Sequence, residues 1–150
     1  MPEGIAEGIG ASVRRKEDKK YTTGKGRYTD DIKRDGQLYA FFVRSNVAHA
    51  TIKKIDVSKA LTCDGVAAIY TGDDIAADGV GGPICGWVPT NRDGSAPKEP
   101  PHPLLARSKV RYVGDHIAVV IAESLEQARS AAEKITINLD VLPPVVDLST

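Results

Sequence analysis

The chain has 150 residues, which is enough for one domain with a hydrophobic core. Its 20 basic residues balance its 20 acidic residues, and this balance argues against both a nucleic-acid-binding surface and an acidic disordered tail. No apolar run approaches the ~20 residues that a transmembrane helix needs, and the N-terminus lacks the layout of a signal peptide. The sequence therefore predicts a cytoplasmic protein with no transmembrane segment and no nucleic-acid partner.

The two cysteines, Cys63 and Cys85, do not form a Cys-x-x-Cys pair. A zinc or iron–sulfur site built by this chain alone is therefore not expected. In a cytoplasmic protein, we expect both cysteines to be free thiols that are buried as small hydrophobic side chains.

The first 20 residues are polar, and we expect a mostly irregular arm. The stretch that follows, TTGKGRYTDDIKRDG, carries Gly24 and Gly26 around a lysine. It lacks the glycine spacing of a phosphate-binding loop and the third glycine of a dinucleotide-binding turn. We therefore interpret it as a turn-forming entry to the domain, with further turns at Asp30-Asp31 and Asp35-Gly36.

Three strands are predicted in the first half of the chain. The apolar run from Leu38 to Val43 is typical of a strand buried on both faces, and Thr51 to Ser58 alternates as a half-buried strand. Ser58 is a candidate start for a short helix through Asp64 that Gly65 would end. Val66 to Thr71 is predicted to be another buried strand, followed by a turn or helix start at Asp73-Asp74.

The segment from Gly79 to Pro103 is dense in glycine and proline and has no periodicity. A loop of this length without secondary structure is uncommon in a compact domain. We therefore expect it to be functional or to be held by a partner.

The second half of the chain predicts a hairpin, a helix and a strand. Lys109–Val113 and His116–Ala122 would pair across a two-residue turn at Gly114-Asp115. Ser124 would cap a helix, with Gln127 completing a capping box. The helix would bury one face and would be followed by a strand, Thr136–Val141, that ends before Pro143. The residues expected on that buried face are Leu125, Ala128, Ala132 and Ile135.

These elements indicate an α+β fold, that is, a mixed α/β fold, with five or six strands. The residues show no recognisable active site. His49, His102 and His116 do not form a metal-ligand pair, and each is interpreted as a local hydrogen-bonding residue. Adjacent carboxylates such as Asp30-Asp31 and Asp73-Asp74 are explained by turn formation.

Several blocks in fixed order resemble a known family. They are GIGASVRRKED, TTGKGRYTDDI, GQLYAFFVRSNVAHATIKKIDVSKA, GVAAIYTGDDI, HPLLARSKVRYVGDHIAVVIAES and LPPVVD. Together they resemble the N-terminal hammerhead domain of the molybdenum hydroxylase large subunit, found in xanthine dehydrogenase, aldehyde oxidase and aerobic carbon monoxide dehydrogenase. The first block is more similar to the bacterial carbon monoxide and N-heterocycle dehydrogenase branch. One departure is His116, where the family often has proline.

The resemblance implies a curled mixed sheet packed on one or two helices. It divides the chain into an arm (1–20), the hammerhead domain (21–147) and the start of a linker (148–150) to a missing downstream domain. It further implies a whole enzyme that uses molybdopterin-bound molybdenum, [2Fe–2S] clusters and FAD. The residues that hold these groups would lie elsewhere, in other molybdenum-binding domains and in the iron–sulfur and FAD subunits or domains, so no catalytic, cofactor-binding or metal-binding residue is assigned here.

Three functions remain open from the sequence. The first is a non-catalytic domain that supports assembly of such an enzyme and its substrate channel, with Ile84, Trp87 and Val88 as interface candidates because interface cores favour aromatic and apolar residues. The second is a free-standing structural or binding module with the same fold. The third is a small independent enzyme. The substrate (CO, an aldehyde, a purine or an N-heterocycle) is left open, because fold resemblance does not select it.

Overall fold

The computed structural model describes residues 8–9, 11, 15–84, 86–147 and 149. The chain divides into two units, residues 1–37 and residues 38–150. Among the described residues, no helix is long and apolar enough to cross a membrane.

The first unit contains helix α1 (Asp18–Thr22) and a 3-10 helix (Thr29–Asp31). The glycine stretch between them is a turn, as predicted: Gly24 is left-handed at φ 71°, and Gly26 lies against the ring of Tyr21 with no space for a side chain. The Tyr28 backbone N–H donates to the Asp31 carboxylate at 2.8 Å. Asp31 therefore forms a turn, as the sequence predicts.

The described residues of the second unit form six strands and three α-helices, which confirms the α+β class. The elements in chain order are β1 (Tyr39–Arg44), β2 (Ala50–Asp56), α2 (Ser58–Leu61), β3 (Val66–Thr71), α3 (Gly72–Ala77), β4 (Lys109–Val110), β5 (His116–Ala122), α4 (Leu125–Ala132) and β6 (Thr136–Val141). They form two three-stranded antiparallel sheets, in place of the single curled mixed sheet that the family resemblance implies. Sheet A has the order β1-β5-β3, and sheet B has the order β4-β2-β6.

Each sheet has its own cluster of buried side chains. In sheet A, Val120 and Ala122 of β5 pack against alanines of α2 and α4. The cluster beside sheet B contains Ala50 of β2, Val110 of β4 and Ile117 from the start of β5. Strand β5 therefore contributes to both clusters. The small side chains of α4 let the helix approach sheet A closely.

The predicted hairpin between 109–113 and 116–122 is wrong. Strand β4 pairs with β2 in sheet B, whereas β5 pairs with β1 and β3 in sheet A. The turn lies one residue earlier, at Val113-Gly114, where the Asp115 N–H donates to the Tyr112 carbonyl at 3.2 Å. Two further hydrogen bonds go to a residue that is distant in sequence. The Ser45 N–H donates to the Asp115 carbonyl and the Gly114 N–H donates to the Ser45 carbonyl, each at 2.8 Å. At these bonds the chain crosses from sheet B to sheet A and does not fold back as a hairpin.

Burial of the strands also differs from the prediction. In β1 and β3 the burial alternates along most of the strand, so neither strand is covered on both faces. Phe42 of β1 and Tyr70 of β3 are exposed. The sequence pattern indicates apolar character on both faces, but this chain covers only one of them.

Two helix predictions need correction. Helix α2 ends at Leu61, before Gly65, and the Thr62 hydroxyl and the Cys63 thiol donate to the Lys59 carbonyl just beyond its end. In α4, Ala128, Ala131 and Ala132 are buried, but Leu125 is exposed, and Ile135 packs on the core from beyond the helix end.

The predicted capping box at α4 is half formed. The Gln127 N–H donates to Ser124 Oγ at 3.2 Å, but the Gln127 side-chain oxygen accepts from that same hydroxyl at 2.8 Å and not from the Ser124 backbone. The serine hydroxyl therefore caps one helix N–H.

We expect Ser124→Ala to lower the free energy of unfolding by about 1 kcal/mol, because the Gln127 N–H loses its cap. Ser124→Asp is the matched control, since its carboxylate accepts the same hydrogen bond. Its free energy of unfolding should stay within a few tenths of a kcal/mol of that of the unmodified chain. Chemical denaturation checks both variants. Equal stability of Ser124→Ala and the unmodified chain would contradict the capping role.

Candidate interface on the long loop

The loop from Gly79 to Pro103 starts from a fixed helix. Helix α3 begins where the Thr71 backbone N–H and hydroxyl both donate to the Asp74 carboxylate, each at 2.6 Å. These bonds, the side-chain bond first, lower the pKa of Asp74 below its ordinary value of 3.8. Asp73 forms an ion pair with Arg107 at 2.6 Å, which joins α3 to the chain beyond the loop. Both acidic residues thus have structural roles at a helix start, as predicted.

The base of the loop is closed by two close backbone approaches. Gly72 lies where a side-chain carbon would be 2.8 Å from the Ala106 carbonyl oxygen. Gly82 lies against the carbonyl of His102, so an added side-chain carbon would overlap it. Leu105 and Ala106, just after the loop, are buried. The loop therefore leaves and rejoins the domain along neighbouring paths.

The far part of the loop is stabilised by its own polar side chains. The Asn91 N–H donates to the Ser95 carbonyl at 2.9 Å, and the Asn91 side chain donates to Ser95 Oγ at 2.9 Å. The Ser95 hydroxyl donates to the Asp93 carboxylate at 2.7 Å, which lowers the pKa of Asp93. The described residues of the loop contain no helix or strand, but this turn gives the segment a defined local geometry.

The interface candidates extend from this closed loop into solvent. Ile84 is 94% exposed, Trp87 is 78% exposed and Val88 is 55% exposed. All three side chains are therefore exposed on the same segment of the loop. Cys85 lies outside the described residues. A cleft of about 470 Å³ adjoins Ile84 and is lined further by Pro83, Glu99, Pro100, Pro101, His102, Arg111 and Tyr112.

The described titratable groups carry local roles. His49 Nδ1 is hydrogen-bonded to the Pro143 carbonyl at 2.9 Å, as a local hydrogen-bonding residue should be. His116 instead lies against the Phe42 ring, and its buried Nε2 has no hydrogen-bond partner among the described residues. The strongest carboxyl shift is that of Asp56, whose pKa is lowered to about 2, mainly by the Ser58 hydroxyl, then by the Ser58 N–H and Lys54. Such shifts reflect turn and cap geometry.

The described residues do not fit a metal or cluster site. No group of three or more His, Cys, Asp or Glu side chains converges among them. Cys63 is free and partly buried, and its thiol lies 3.5 Å from the Lys59 carbonyl.

Comparison with known proteins identifies the domain. The sequence profile described as the a/b hammerhead domain of aldehyde oxidase and xanthine dehydrogenase matches residues 23–143. The large subunit of nicotine 6-hydroxylase from Paenarthrobacter nicotinovorans is 39% identical over 93% of this chain and 16% of that protein. The large chain of carbon monoxide dehydrogenase from Afipia carboxidovorans is 37% identical over 94% of this chain and 16% of that protein.

Solved structures agree with the sequence relatives. Quinoline 2-oxidoreductase from Pseudomonas putida 86 superposes with a TM-score of 0.83 at 34% identity, over 97% of this chain and 18% of that one. The Cu,Mo-CO dehydrogenase superposes with a TM-score of 0.75 at 35% identity, over 93% of this chain and 16% of that one. The chain thus spans about a sixth of the length of these relatives. It belongs to the aldehyde oxidase and xanthine dehydrogenase family, as its a/b hammerhead domain.

We expect Gly82→Ala to open the base of the loop, because the new methyl group would overlap the His102 carbonyl. Gly81→Ala is the matched control, since open space surrounds that position. Limited proteolysis should cut the loop faster in Gly82→Ala, and the free energy of unfolding should fall by about 1–3 kcal/mol. Identical behaviour of the two variants would show that the loop base is not closed.

We expect Asp74→Ala to lower the free energy of unfolding by about 1 kcal/mol near neutral pH, because two donors at Thr71 lose their acceptor. The folded-state pKa of Asp74 lies below 3.8, so its stabilisation is complete above that value and is lost as the pH falls below it. The difference between the two proteins in urea unfolding should therefore shrink in acid. A difference that stays constant with pH would rule out the carboxylate as its source.

Proposed function

We propose that this chain is a non-catalytic domain of the large subunit of a molybdenum-containing hydroxylase or dehydrogenase. Its role is to support assembly of the enzyme and to form part of the wall of the substrate channel. The observation that carries the proposal is the exposed apolar group Ile84, Trp87 and Val88 on a loop whose base is closed, in a domain of this family. The substrate class of the whole enzyme stays open among CO, an aldehyde, a purine and an N-heterocycle.

The physical argument concerns the cost of leaving this loop uncovered. Complete burial of one large apolar side chain stabilises an association by about 1.5–3 kcal/mol, and tryptophan is among the residues that dominate interface energies. The internal bonds of the loop reduce the entropy that binding must remove. Such a pre-ordered apolar loop is suited to a protein surface. Its partners are the remaining molybdenum-binding domains of the large subunit.

The whole enzyme would use molybdopterin-bound molybdenum, [2Fe–2S] clusters and FAD. When bound, these groups supply oxidation of the substrate and transfer of electrons to an acceptor. In this proposal they are held by the remaining large-subunit domains and by the iron–sulfur and FAD subunits or domains. The contribution of this chain is to position those domains and subunits.

The alternative of a free-standing module is not favoured, because the matched relatives are about six times longer than this chain.

Native recovery of the affinity-tagged chain from its source cells tests the proposal. We expect a large complex that contains molybdenum, iron and flavin. A bare chain of 16.0 kDa with no metal would overturn the proposal.

A matched pair of variants tests the loop. The triple variant Ile84→Ser, Trp87→Ser and Val88→Ser should recover less molybdenum per chain, because the apolar contact is lost. The control triple variant changes exposed side chains outside the loop, namely Leu61→Ser, Leu125→Ser and Val141→Ser, and should recover as much as the unmodified chain. Thermal unfolding confirms that both variants fold. Equal molybdenum recovery and activity in the loop variant would leave the domain assignment standing and remove the loop from the interface.

A further inference from the structure

The inner face of sheet A packs on helices of this chain. Phe41, Val120 and Ile69 are cross-strand neighbours on β1, β5 and β3. All three pack in the cluster that contains the alanines of α2 and α4. Because successive residues of a strand point to opposite faces, the residues between them must lie on the outer face of the sheet.

The outer face of sheet A is apolar and uncharged along two cross-strand rows. The first row is Phe42, Val119 and Tyr70, and the second is Ala40, Ile121 and Ala68. Phe42 and Tyr70 at the two sides of the first row are each 41% exposed. Among the described helices and strands, the main packing partners of this sheet are the inner-face helices α2 and α4, and α3 contacts it at the end of β3.

This pattern is unusual for a sheet with one face in solvent. An antiparallel sheet with a solvated face normally alternates apolar and polar residues along each strand. Here the middle strand β5 is apolar at every position after His116, and β1 has Phe41 and Phe42 on opposite faces. Monomeric proteins rarely leave a large contiguous apolar surface exposed, so such a face indicates an interface.

We propose that the outer face of sheet A is covered by an apolar surface of the molybdenum-binding part of the same large subunit. This inference rests on the proposed function. The relatives are about six times longer than this chain, so most of the polypeptide that could cover the face lies outside the structure. A surface in the same polypeptide also has a high effective concentration, which favours it over a separate protein. The two rows carry no charge, so they are complementary to a partner surface that is itself apolar.

Hydroxyl-radical footprinting tests this cover by measuring side-chain accessibility in the free chain and in the native complex recovered with molybdenum. We expect the labelling of Phe42 and Tyr70 to fall several-fold in the complex. Leu61 on α2 and Leu125 on α4 are internal controls, because both are exposed and lie away from the outer face. Their labelling should change little.

Each outcome is decisive. If Phe42 and Tyr70 stay as reactive in a molybdenum-containing complex as in the free chain, the inference fails while the proposed function stands. If no molybdenum complex is recovered, both fail. If the free chain self-associates and the two aromatic side chains are already protected there, the occupant is a second copy and the inference is overturned.

Discussion

The fold depends on one polar junction between Ser45 and Asp115. These are the buried polar residues of the described chain. The Ser45 N–H donates to the Asp115 carbonyl at 2.8 Å, and the Ser45 carbonyl accepts from the neighbouring Gly114 N–H at 2.8 Å. The Asp115 carboxylate also accepts from the Arg111 N–H at 3.0 Å. An unsatisfied buried polar group costs about 1–3 kcal/mol, so this geometry is strongly specified. At this point β1 ends before β2 begins, and β4 ends before β5 begins. Both crossings between the sheets are thus fixed together.

The junction explains which features the sequence could predict. Local signals were sufficient for the bounds of β3 and β6 and for the start of α4, because a short apolar run, an alternating run and a capping serine each depend on neighbouring residues. The partner of a strand is not encoded in this way. A Gly-Asp pair between two apolar runs favours a hairpin. Here Gly114 and Asp115 form backbone hydrogen bonds with Ser45, which is far away in sequence. Only the tertiary structure shows that β4 and β5 belong to different sheets.

The exposed surfaces show a similar division. The glycine- and proline-rich composition was enough to single out the loop and its candidates Ile84, Trp87 and Val88. The outer face of sheet A was missed, although the run from Leu38 to Val43 carried the signal: it is apolar on both faces. Interpreting that run as doubly buried was wrong for this chain alone. The inner surfaces stabilise the domain, and under our proposal the loop and the outer face serve the larger enzyme.

An experimental structure of the complex recovered with molybdenum would test this account most directly. The account predicts that Trp87 on the loop and the Phe42–Val119–Tyr70 row on sheet A both contact other parts of the enzyme. It also predicts that the exposed side chains Leu61 and Leu125 stay in solvent. A complex in which the loop and the outer face of sheet A are both in solvent would contradict the account, because other surfaces of the domain would then form its contacts with the enzyme.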